Sequence, residues 1–188
     1  PLMKAAFNAG TGTGFLPLGD LEAVENELKK GDVAGIIIEG IQGVAGIVDP
    51  TDAFLQGLRS LADKYEAVLI LDEVQSGYGR TGKFFAHQHA GIEADVITIA
   101  KGMGNGFPIG GVLIHPKFKA SAGLLGTTFG GNHLACAAGL AVLNTLEEEN
   151  LIENVNKVSE YFISEAKKIQ QIKNIKGRGL MLGLEFDF

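Results

Sequence analysis

The stretch "DVITIAKGMGNGFPIGGVLIH", residues 95–115, holds two apolar runs on either side of a glycine-rich loop. Both runs have the length and the β-branched content of buried strands. Lys101 directly follows the first run, and Gly102, Gly104 and Gly106 come after it, which argues against a helix there. The stretch therefore predicts two strands of a sheet, with a charged amine at the end of the first.

Two similar runs lie upstream, "VAGIIIE" at 33–39 and "AVLILDE" at 67–73. Continuous apolar runs of this length are typical of strands that are covered on both faces. Between them, "TDAFLQGLRSLADKYE" has apolar residues on one helical face, with Thr51 or Asp52 as its N-cap. Strands separated by a helix and loops predict an α/β fold with a mixed, mostly parallel sheet flanked by helices.

The last third of the sequence has a different character. A helix rich in small residues follows Asn132, a second, amphipathic helix begins at Leu151, and Gly177 and Gly179 punctuate a final strand. We place a domain boundary at this change, with residues 1–148 in one domain and 149–188 at the start of a smaller α+β domain. The chain begins at Pro1 and stops at Phe188 within an apolar run, so we expect it to be incomplete at both ends.

Composition limits the classes of function. The 188 residues carry a net charge of −6 with no basic stripe, which argues against a nucleic-acid or anionic-membrane surface. The one cysteine, Cys136, excludes an intrachain disulfide and a cysteine-based zinc site. No apolar run approaches the roughly 20 residues of a membrane helix, and no signal peptide is recognisable. We therefore expect a cytoplasmic protein.

Three ionisable residues close three of the predicted strands: Glu39, Asp72 and Lys101. In open α/β sheets, ligands bind at the carboxyl ends of the strands, so these side chains are expected to converge there. The alternative is that the charges mark only where each strand meets solvent. Glycine-bearing loops after the strands favour a ligand site.

Lys101 has two possible roles. A structural lysine needs a carboxylate partner, because an unpaired buried ammonium costs several kcal/mol. A nucleophilic lysine must be neutral, and with an ordinary pKa of about 10.4 that requires a desolvated pocket. Lysine Schiff bases belong to this chemistry, and pyridoxal phosphate would also explain Asp72, since a carboxylate keeps its ring nitrogen protonated. Gln75 could then hold the ring oxygen and Val74 could pack on the ring face.

A phosphate group needs a site of its own. The segment "GTTFGGN", residues 126–132, offers two hydroxyl groups and two glycines before a helix start, a combination suited to an anion. An ordinary helix cap with a glycine turn explains the same residues.

Other motifs fail on inspection. The segment "GYGRTGKF", residues 77–84, has P-loop spacing, but Phe84 stands where a metal-binding Ser or Thr is needed. The acidic strand "LILDE" precedes this loop, whereas in a nucleoside triphosphatase the acidic strand follows the P-loop. His87 and His89 are too few for a metal site and are expected on a loop surface.

Four segments in order, "EGIQGVAG", "LILDEVQSGYGRTGKFF", "AKGMGNGFPIGG" and "GTTFGGN", resemble the class III pyridoxal-phosphate aminotransferases, closest to the acetylornithine, succinylornithine and ornithine branch. The resemblance covers nearly the whole chain. It implies a dimeric enzyme of fold-type I with the cofactor at the subunit interface, a large cofactor-binding domain in 1–148 that includes the connecting helix, and the small C-terminal domain from 149.

The resemblance also implies site residues. Lys101 would carry the cofactor and shuttle the proton at the substrate carbon, and Asp72 would pair with the pyridinium nitrogen. Gln75 would approach the ring oxygen and Val74 would cover one ring face. By the same resemblance, Thr128 would reach the phosphate of the neighbouring subunit.

Two residues would face the substrate by this resemblance. Glu39 matches the first glutamate of the family's Glu-Pro-Ile-Gln-Gly-Glu stretch, and Thr127 lies beside the phosphate-binding threonine. Three positions depart from the family pattern: Gly40 and His133 replace prolines, and Val44 replaces the second glutamate of that stretch. That glutamate gates the two half-reactions in relatives that use ornithine or aminobutyrate.

The substitution at Val44 predicts a less polar pocket that takes an N-acylated ornithine, acetyl or succinyl, as amino donor and 2-oxoglutarate as acceptor. Alternatives are an ω-aminotransferase for ornithine or 4-aminobutyrate, and an aminomutase or diamine transaminase, which Gln75 argues against. A catalytically inactive structural relative is a third. Because the upstream phosphate loop and the downstream carboxylate-binding arginine of the family are missing, we expect the isolated fragment to be inactive.

Overall fold

The computed structural model describes residues 12–44, 46–119, 121, 123 and 126–187. A four-stranded sheet forms its centre, with β1 (Gly35–Glu39), β2 (Val68–Asp72), β3 (Val96–Ile99) and β4 (Gly111–Ile114) in that spatial order. The first three strands run parallel and β4 is antiparallel to β3. This confirms the predicted mixed, mostly parallel sheet.

The helix predicted between the first two strands is α2 (Asp52–Lys64). The hydroxyl oxygen of Thr51 accepts a hydrogen bond from the amide of Phe54 at 3.2 Å, so Thr51 is the N-cap. The buried residues of α2 pack with α1 (Leu21–Leu28) and with the inward side chains of β1 and β2. These residues include Phe54, Leu55, Leu58, Ala62, Leu69 and Leu71.

The opposite face of the sheet is not covered by the described residues, so the prediction of strands buried on both faces is wrong for this chain. Ile37 in β1 is 65% exposed, and Val112 and Ile114 in β4 are 54% and 51% exposed. Side chains alternate between faces along a strand, and in β1 and β2 one face packs against α2. In β4, Leu113 on the alternate face is also 45% exposed, so within the described residues this strand is uncovered on both faces.

Two helices follow the sheet, α3 (His133–Glu148) and α4 (Leu151–Ala166). The side-chain oxygen of Asn132 accepts from the amide of Ala135 at 3.0 Å and caps α3. A Cβ atom added at Gly139 in α3 would lie 3.7 Å from the carbonyl oxygen of Met103, so the small residues allow α3 to approach the loop after β3. Within the described residues, every helix is too short or too polar to cross a membrane.

The chain ends in a hairpin of two antiparallel strands, β5 (Ile172–Arg178) and β6 (Met181–Phe186), where the sequence predicted a single final strand. The glycines that punctuate the run are part of the turn: Gly177 and Gly179 have φ of +97° and +55°. Left-handed backbone is open to glycine at little cost, so the run folds back on itself there.

The tip of this hairpin packs against two earlier parts of the chain, the start of α2 and the loop that follows β2. The guanidinium of Arg178 contacts the carboxylates of Asp49 at 2.8 Å and Asp52 at 2.9 Å. The amide of Leu180 donates to the carbonyl oxygen of Arg80 at 2.9 Å. The hairpin, which belongs to the part assigned to the second domain, is therefore held against the loop that follows β2.

Gly179 is the point of closest approach in this docking. A Cβ atom there would lie 2.3 Å from the carbonyl carbon of Thr81, and the backbone is left-handed. We expect Gly179→Ala to lower the free energy of unfolding by roughly 3 kcal/mol, from steric overlap and backbone strain together. Chemical denaturation followed by circular dichroism measures this change.

Gly31→Ala is the matched control. Gly31 also has a positive φ, +77°, but no atom lies within 4 Å of its added Cβ. It should cost only the left-handed strain of about 1 kcal/mol. Equal losses at the two positions would contradict the close docking of the hairpin tip.

Candidate active site

The parallel register aligns the ends of the first three strands. Glu39 pairs with Asp72 across β1 and β2, and Asp72 pairs with Thr98 across β2 and β3. Lys101 follows Thr98 by three residues, just beyond the end of β3. The structure therefore places Glu39, Asp72 and Lys101 at one edge of the sheet, as the strand pattern predicts.

Lys101 adopts a backbone conformation that is unusual for a lysine. Its φ is +44°, and it begins a short 3₁₀ helix, Lys101–Met103, although the glycines predicted no helix there. Its side chain is exposed, and within the described residues its ammonium has no ion-pair partner. The structural role that requires a carboxylate partner is therefore not supported, but this segment does not supply the predicted desolvated pocket either.

A cavity of about 480 Å³ opens beside Lys101. The residues around it come from the loop after β3 and from Arg80 in the loop after β2, so it joins the ends of two neighbouring strands. Its lining consists of Arg80, Lys101, Gly102, Asn105, Gly106, Phe107, Pro108 and Ile109. The cavity is large enough for a small-molecule ligand and carries two cationic side chains.

The predicted cofactor residues Asp72, Val74 and Gln75 lie half-buried at the end of β2 and in the turn after it. The carboxylate Oδ1 of Asp72 accepts a hydrogen bond from the amide of Val74 at 3.0 Å. The carboxamide of Gln75 packs against Gly43, where an added Cβ would lie 2.7 Å from Nε2. The loop after β1 thus lies directly against the side chain of Gln75.

Glu39 closes that loop. Its carboxylate Oε2 accepts from the amide of Gly43 at 3.3 Å. The next residue, Val44, is 65% exposed and so presents an apolar side chain to solvent where the family pattern has a carboxylate. Glu39 therefore acts on the backbone of its own loop in this structure.

Thr127 and Thr128 lie in the exposed segment before α3. Within the described residues neither hydroxyl makes a hydrogen bond, and none joins these threonines to Asp72 or Lys101. The side chain of Thr127 instead packs on Gly130, where an added Cβ would lie 2.1 Å from its Cγ2. Within one chain, the segment therefore has the geometry of a helix cap with a glycine turn.

Two residues near Lys101 were not singled out from the sequence. Tyr78 has a φ of +57°, and a Cβ added at Gly102 would lie 3.2 Å from Cβ of Tyr78, so the turns after β2 and β3 lie against each other. Burial raises the pKa of Tyr78. Arg80 lines the same cavity as Lys101 and has no ion pair within the described residues. The sequence signal that could have identified Arg80 is a basic residue in a glycine-containing loop that follows a strand ending in an acidic residue.

The prediction that His87 lies on a loop surface is wrong. His87 is 6% exposed, and its Nδ1 lies 2.8 Å from the carboxylate Oε1 of Glu73, which is fully buried. His89 is half-buried and faces Thr81, with Nε2 3.0 Å from the carbonyl oxygen. No cluster that could hold a metal ion occurs among the described residues.

The family model "Aminotransferase class-III" matches residues 16–187. Curated relatives include the acetylornithine aminotransferase of Aquifex aeolicus, 44% identical over 94% of this chain and 46% of its own length. The enzyme of the same name from Caldanaerobacter subterraneus is 42% identical over 92% of this chain and 45% of its own length. The chain thus spans about half the length of the curated relatives it matches.

Solved structures agree with these matches and confirm the predicted fold-type I architecture. The ornithine aminotransferase from Toxoplasma gondii has a TM-score of 0.89 and 32% identity, covering 95% of this chain and 44% of its own. The acetylornithine aminotransferase from Elizabethkingia anophelis has a TM-score of 0.83 and 33% identity, covering 92% and 45%. With a family model that extends over nearly all of its residues, the chain belongs to the class III aminotransferases.

Proposed function

We propose that this chain is the cofactor-binding segment of a pyridoxal-phosphate-dependent aminotransferase that moves an amino group from an N-acylated ornithine, acetyl or succinyl, to 2-oxoglutarate in arginine metabolism. The observation that carries the proposal is Lys101, an exposed amine without an ion-pair partner in the described residues, at the same sheet edge as Asp72. The curated relatives named acetylornithine aminotransferase support the donor.

The residues present fit the cofactor. The carboxylate of Asp72 would hold the protonated ring nitrogen, and the carboxamide of Gln75, fixed by Gly43, would donate to the ring oxygen. Val74 between them would pack on a ring face. Thr128 would contact the phosphate of a neighbouring subunit, and within the described residues its hydroxyl makes no hydrogen bond that would compete. When bound, the cofactor supplies an electron sink for a carbanion.

The chemical work of the chain itself falls to Lys101. Its amine would hold the cofactor at rest and, once released, would shuttle a proton between the substrate carbon and the cofactor. A base must reach both positions from one place, and a side chain at a strand end among glycines has that freedom of movement. Lys101 itself has left-handed backbone, with φ +44°, just beyond the end of β3.

The substrate would be recognised by charge within the cavity and by an apolar surface outside its lining residues. Arg80, unpaired within the described residues, would bind a carboxylate of the amino donor or acceptor. Exposed Val44 would face the acyl group of the donor, because its apolar side chain can pack on an acyl group but cannot pair with the free ammonium of unacylated ornithine. Thr127 and Glu39 would line the same side, Glu39 by holding the loop that carries Val44.

We further propose that residues 1–148 belong to the large domain and 149–188 begin the small one, in a cytoplasmic homodimer whose subunits complete each other's sites. Residues 1–11 of this division lie outside the described part of the chain. A free ornithine donor is the second candidate, supported by solved relatives such as the ornithine aminotransferase from Toxoplasma gondii. Because the chain spans about half of its relatives, we expect it to have little or no transaminase activity by itself.

The function is tested in a chimaera. Residues 16–187 replace the matching segment of the Aquifex aeolicus acetylornithine aminotransferase, which is 44% identical over the region. We expect transfer from N-acetylornithine or N-succinylornithine to 2-oxoglutarate, measured as glutamate formed. Lys101→Arg in the same chimaera should lower the rate at least about a thousandfold, since the fixed charge of arginine cannot serve as base or nucleophile.

Val44→Glu tests the choice of donor in the same background. The added carboxylate should raise kcat/KM for free ornithine relative to acetylornithine by about tenfold, because it can pair with the free ammonium. An original chimaera that already prefers free ornithine would overturn the N-acylated donor. A folded chimaera with no transamination of any of these donors would point to the inactive relative.

The left-handed backbone at Lys101 predicts that glycine is more favourable for stability than alanine at this position. Lys101→Gly should be more stable than Lys101→Ala by about 0.5 to 1 kcal/mol, because glycine relieves the left-handed strain that alanine keeps. Lys29, at φ −61°, is the control, and there the alanine variant should be the more stable. Thermal unfolding of the four variants gives the order; the same order at both positions would rule out strain at Lys101.

A further inference from the structure

A buried carboxylate lies directly behind the candidate site. Glu73 is fully buried, and both of its oxygens accept hydrogen bonds. Oε1 accepts from the backbone amide of His87 at 3.0 Å and contacts its Nδ1 at 2.8 Å. Oε2 accepts from the backbone amide of Ala86 at 3.0 Å and from the hydroxyl of Ser76. Two segments that are distant in sequence thus meet at one charged group.

The arrangement of the four hydrogen-bond donors around Glu73 requires its carboxyl group to be ionised. Burial alone would raise the pKa of Glu73, but the hydrogen bonds from His87, Ser76 and the two backbone amides outweigh it and hold the pKa below its usual value. Only a carboxylate accepts at both oxygens at once. A glutamine of the same shape would turn its NH₂ group toward one of the two backbone N–H groups, whichever way its carboxamide is rotated.

The backbone of Glu73 ties the turn to the sheet. Its amide donates to the carbonyl oxygen of Thr98 in β3 at 3.0 Å, and its carbonyl oxygen accepts from the amide of Gly77 at 2.9 Å. Gly77 has no room for a side chain, since a Cβ there would lie 2.8 Å from that same oxygen. The turn from Glu73 to Gly77 is therefore fixed at both ends.

Neighbouring side chains at the end of a strand point to opposite faces. Glu73 is held on the buried side by its four donors, so Asp72 is directed to the other side, where its Oδ1 accepts from Val74. Gln75 lies within the same turn, against Gly43. The orientation of the two predicted cofactor-binding side chains thus depends on a group that would not contact the cofactor.

We propose that Glu73, with His87, is a positioning residue that fixes the turn carrying Asp72 and Gln75, so that both side chains face the crevice before any ligand enters. Its effect on cofactor binding rests on the proposed function. Its effect on the order of the turn does not.

Glu73→Gln in the 188-residue chain is the test, with amide hydrogen exchange as the first measurement. We expect the amides of Val74 and Gly77 to exchange at least about tenfold faster, since loss of a hydrogen bond to a buried charge opens the turn locally. The amide of Leu58 in α2 should be unchanged. Unchanged exchange in the turn, or equal acceleration throughout the chain, would overturn the proposal, because the second result describes a merely structural residue.

The affinity for pyridoxal phosphate, measured by absorbance, is the second measurement. Glu73→Gln should raise the dissociation constant at least about fivefold, and Glu153→Gln, which removes an exposed carboxylate paired with Lys157, should leave it unchanged. Where the 188-residue chain binds too weakly to measure, the same substitutions are compared in the chimaera described above. A chimaera that binds no pyridoxal phosphate would overturn the proposed function, while the exchange result would still decide the role of Glu73.

Ser76→Ala keeps the test decisive if Glu73→Gln does not fold. This variant removes one donor and leaves the charge and both backbone donors in place. It should accelerate exchange at Val74 and Gly77 by a few-fold, less than the loss of the charge. No change at those amides in a folded Ser76→Ala chain would count against the proposal.

Discussion

The parallel hydrogen-bonded register of β1, β2 and β3 is the constraint on which the site depends. It aligns Glu39 with Asp72 and Asp72 with Thr98, so side chains that lie 33 and 26 residues apart in sequence end at one edge. A slip of one residue in any pair would turn every side chain of that strand to the other face. The register is maintained by Leu69 and Leu71, which are fully buried against α2 and can occupy only that face.

The end of β2 shows how this constraint is used on both sides of the sheet. Asp72 lies on one side of the sheet, where its Oδ1 accepts from the amide of Val74, while Glu73 lies on the other and accepts hydrogen bonds at both carboxylate oxygens. Two adjacent carboxylates thus have opposite tasks, and alternation along the strand separates them. The hairpin of β5 and β6 also contributes to the site, because the amide of Leu180 at its tip donates a hydrogen bond to the backbone of Arg80 beside the cavity.

Much of the fold could be predicted because its signals are local. Apolar runs fixed the four strands, and the polar residues Thr51 and Asn132 fixed the starts of α2 and α3 by capping. The placement of Glu39, Asp72 and Lys101 at one edge followed from the general behaviour of α/β sheets. The family itself was recognisable from four ordered motifs.

What failed depends on contacts distant in sequence or on polypeptide that this chain does not contain. His87 looked like a surface histidine because nothing near it in sequence reveals its buried partner, Glu73. The uncovered face at Ile37 and Val112 and the exposure of Lys101 follow from a segment that spans about half of its relatives. The roles predicted for Thr127 and Thr128 are not tested by the contacts of the described residues and remain predictions.

The central claim is that Lys101, held at this sheet edge beside Asp72, is the residue that carries pyridoxal phosphate. The most direct measurement is borohydride reduction of the chain after incubation with limiting pyridoxal phosphate, followed by peptide mass analysis. We expect a pyridoxyl adduct concentrated on Lys101, and a marked loss of this preference for Lys101 over other lysines in Asp72→Asn. Labelling spread evenly over the exposed lysines, or located on another lysine, would contradict it.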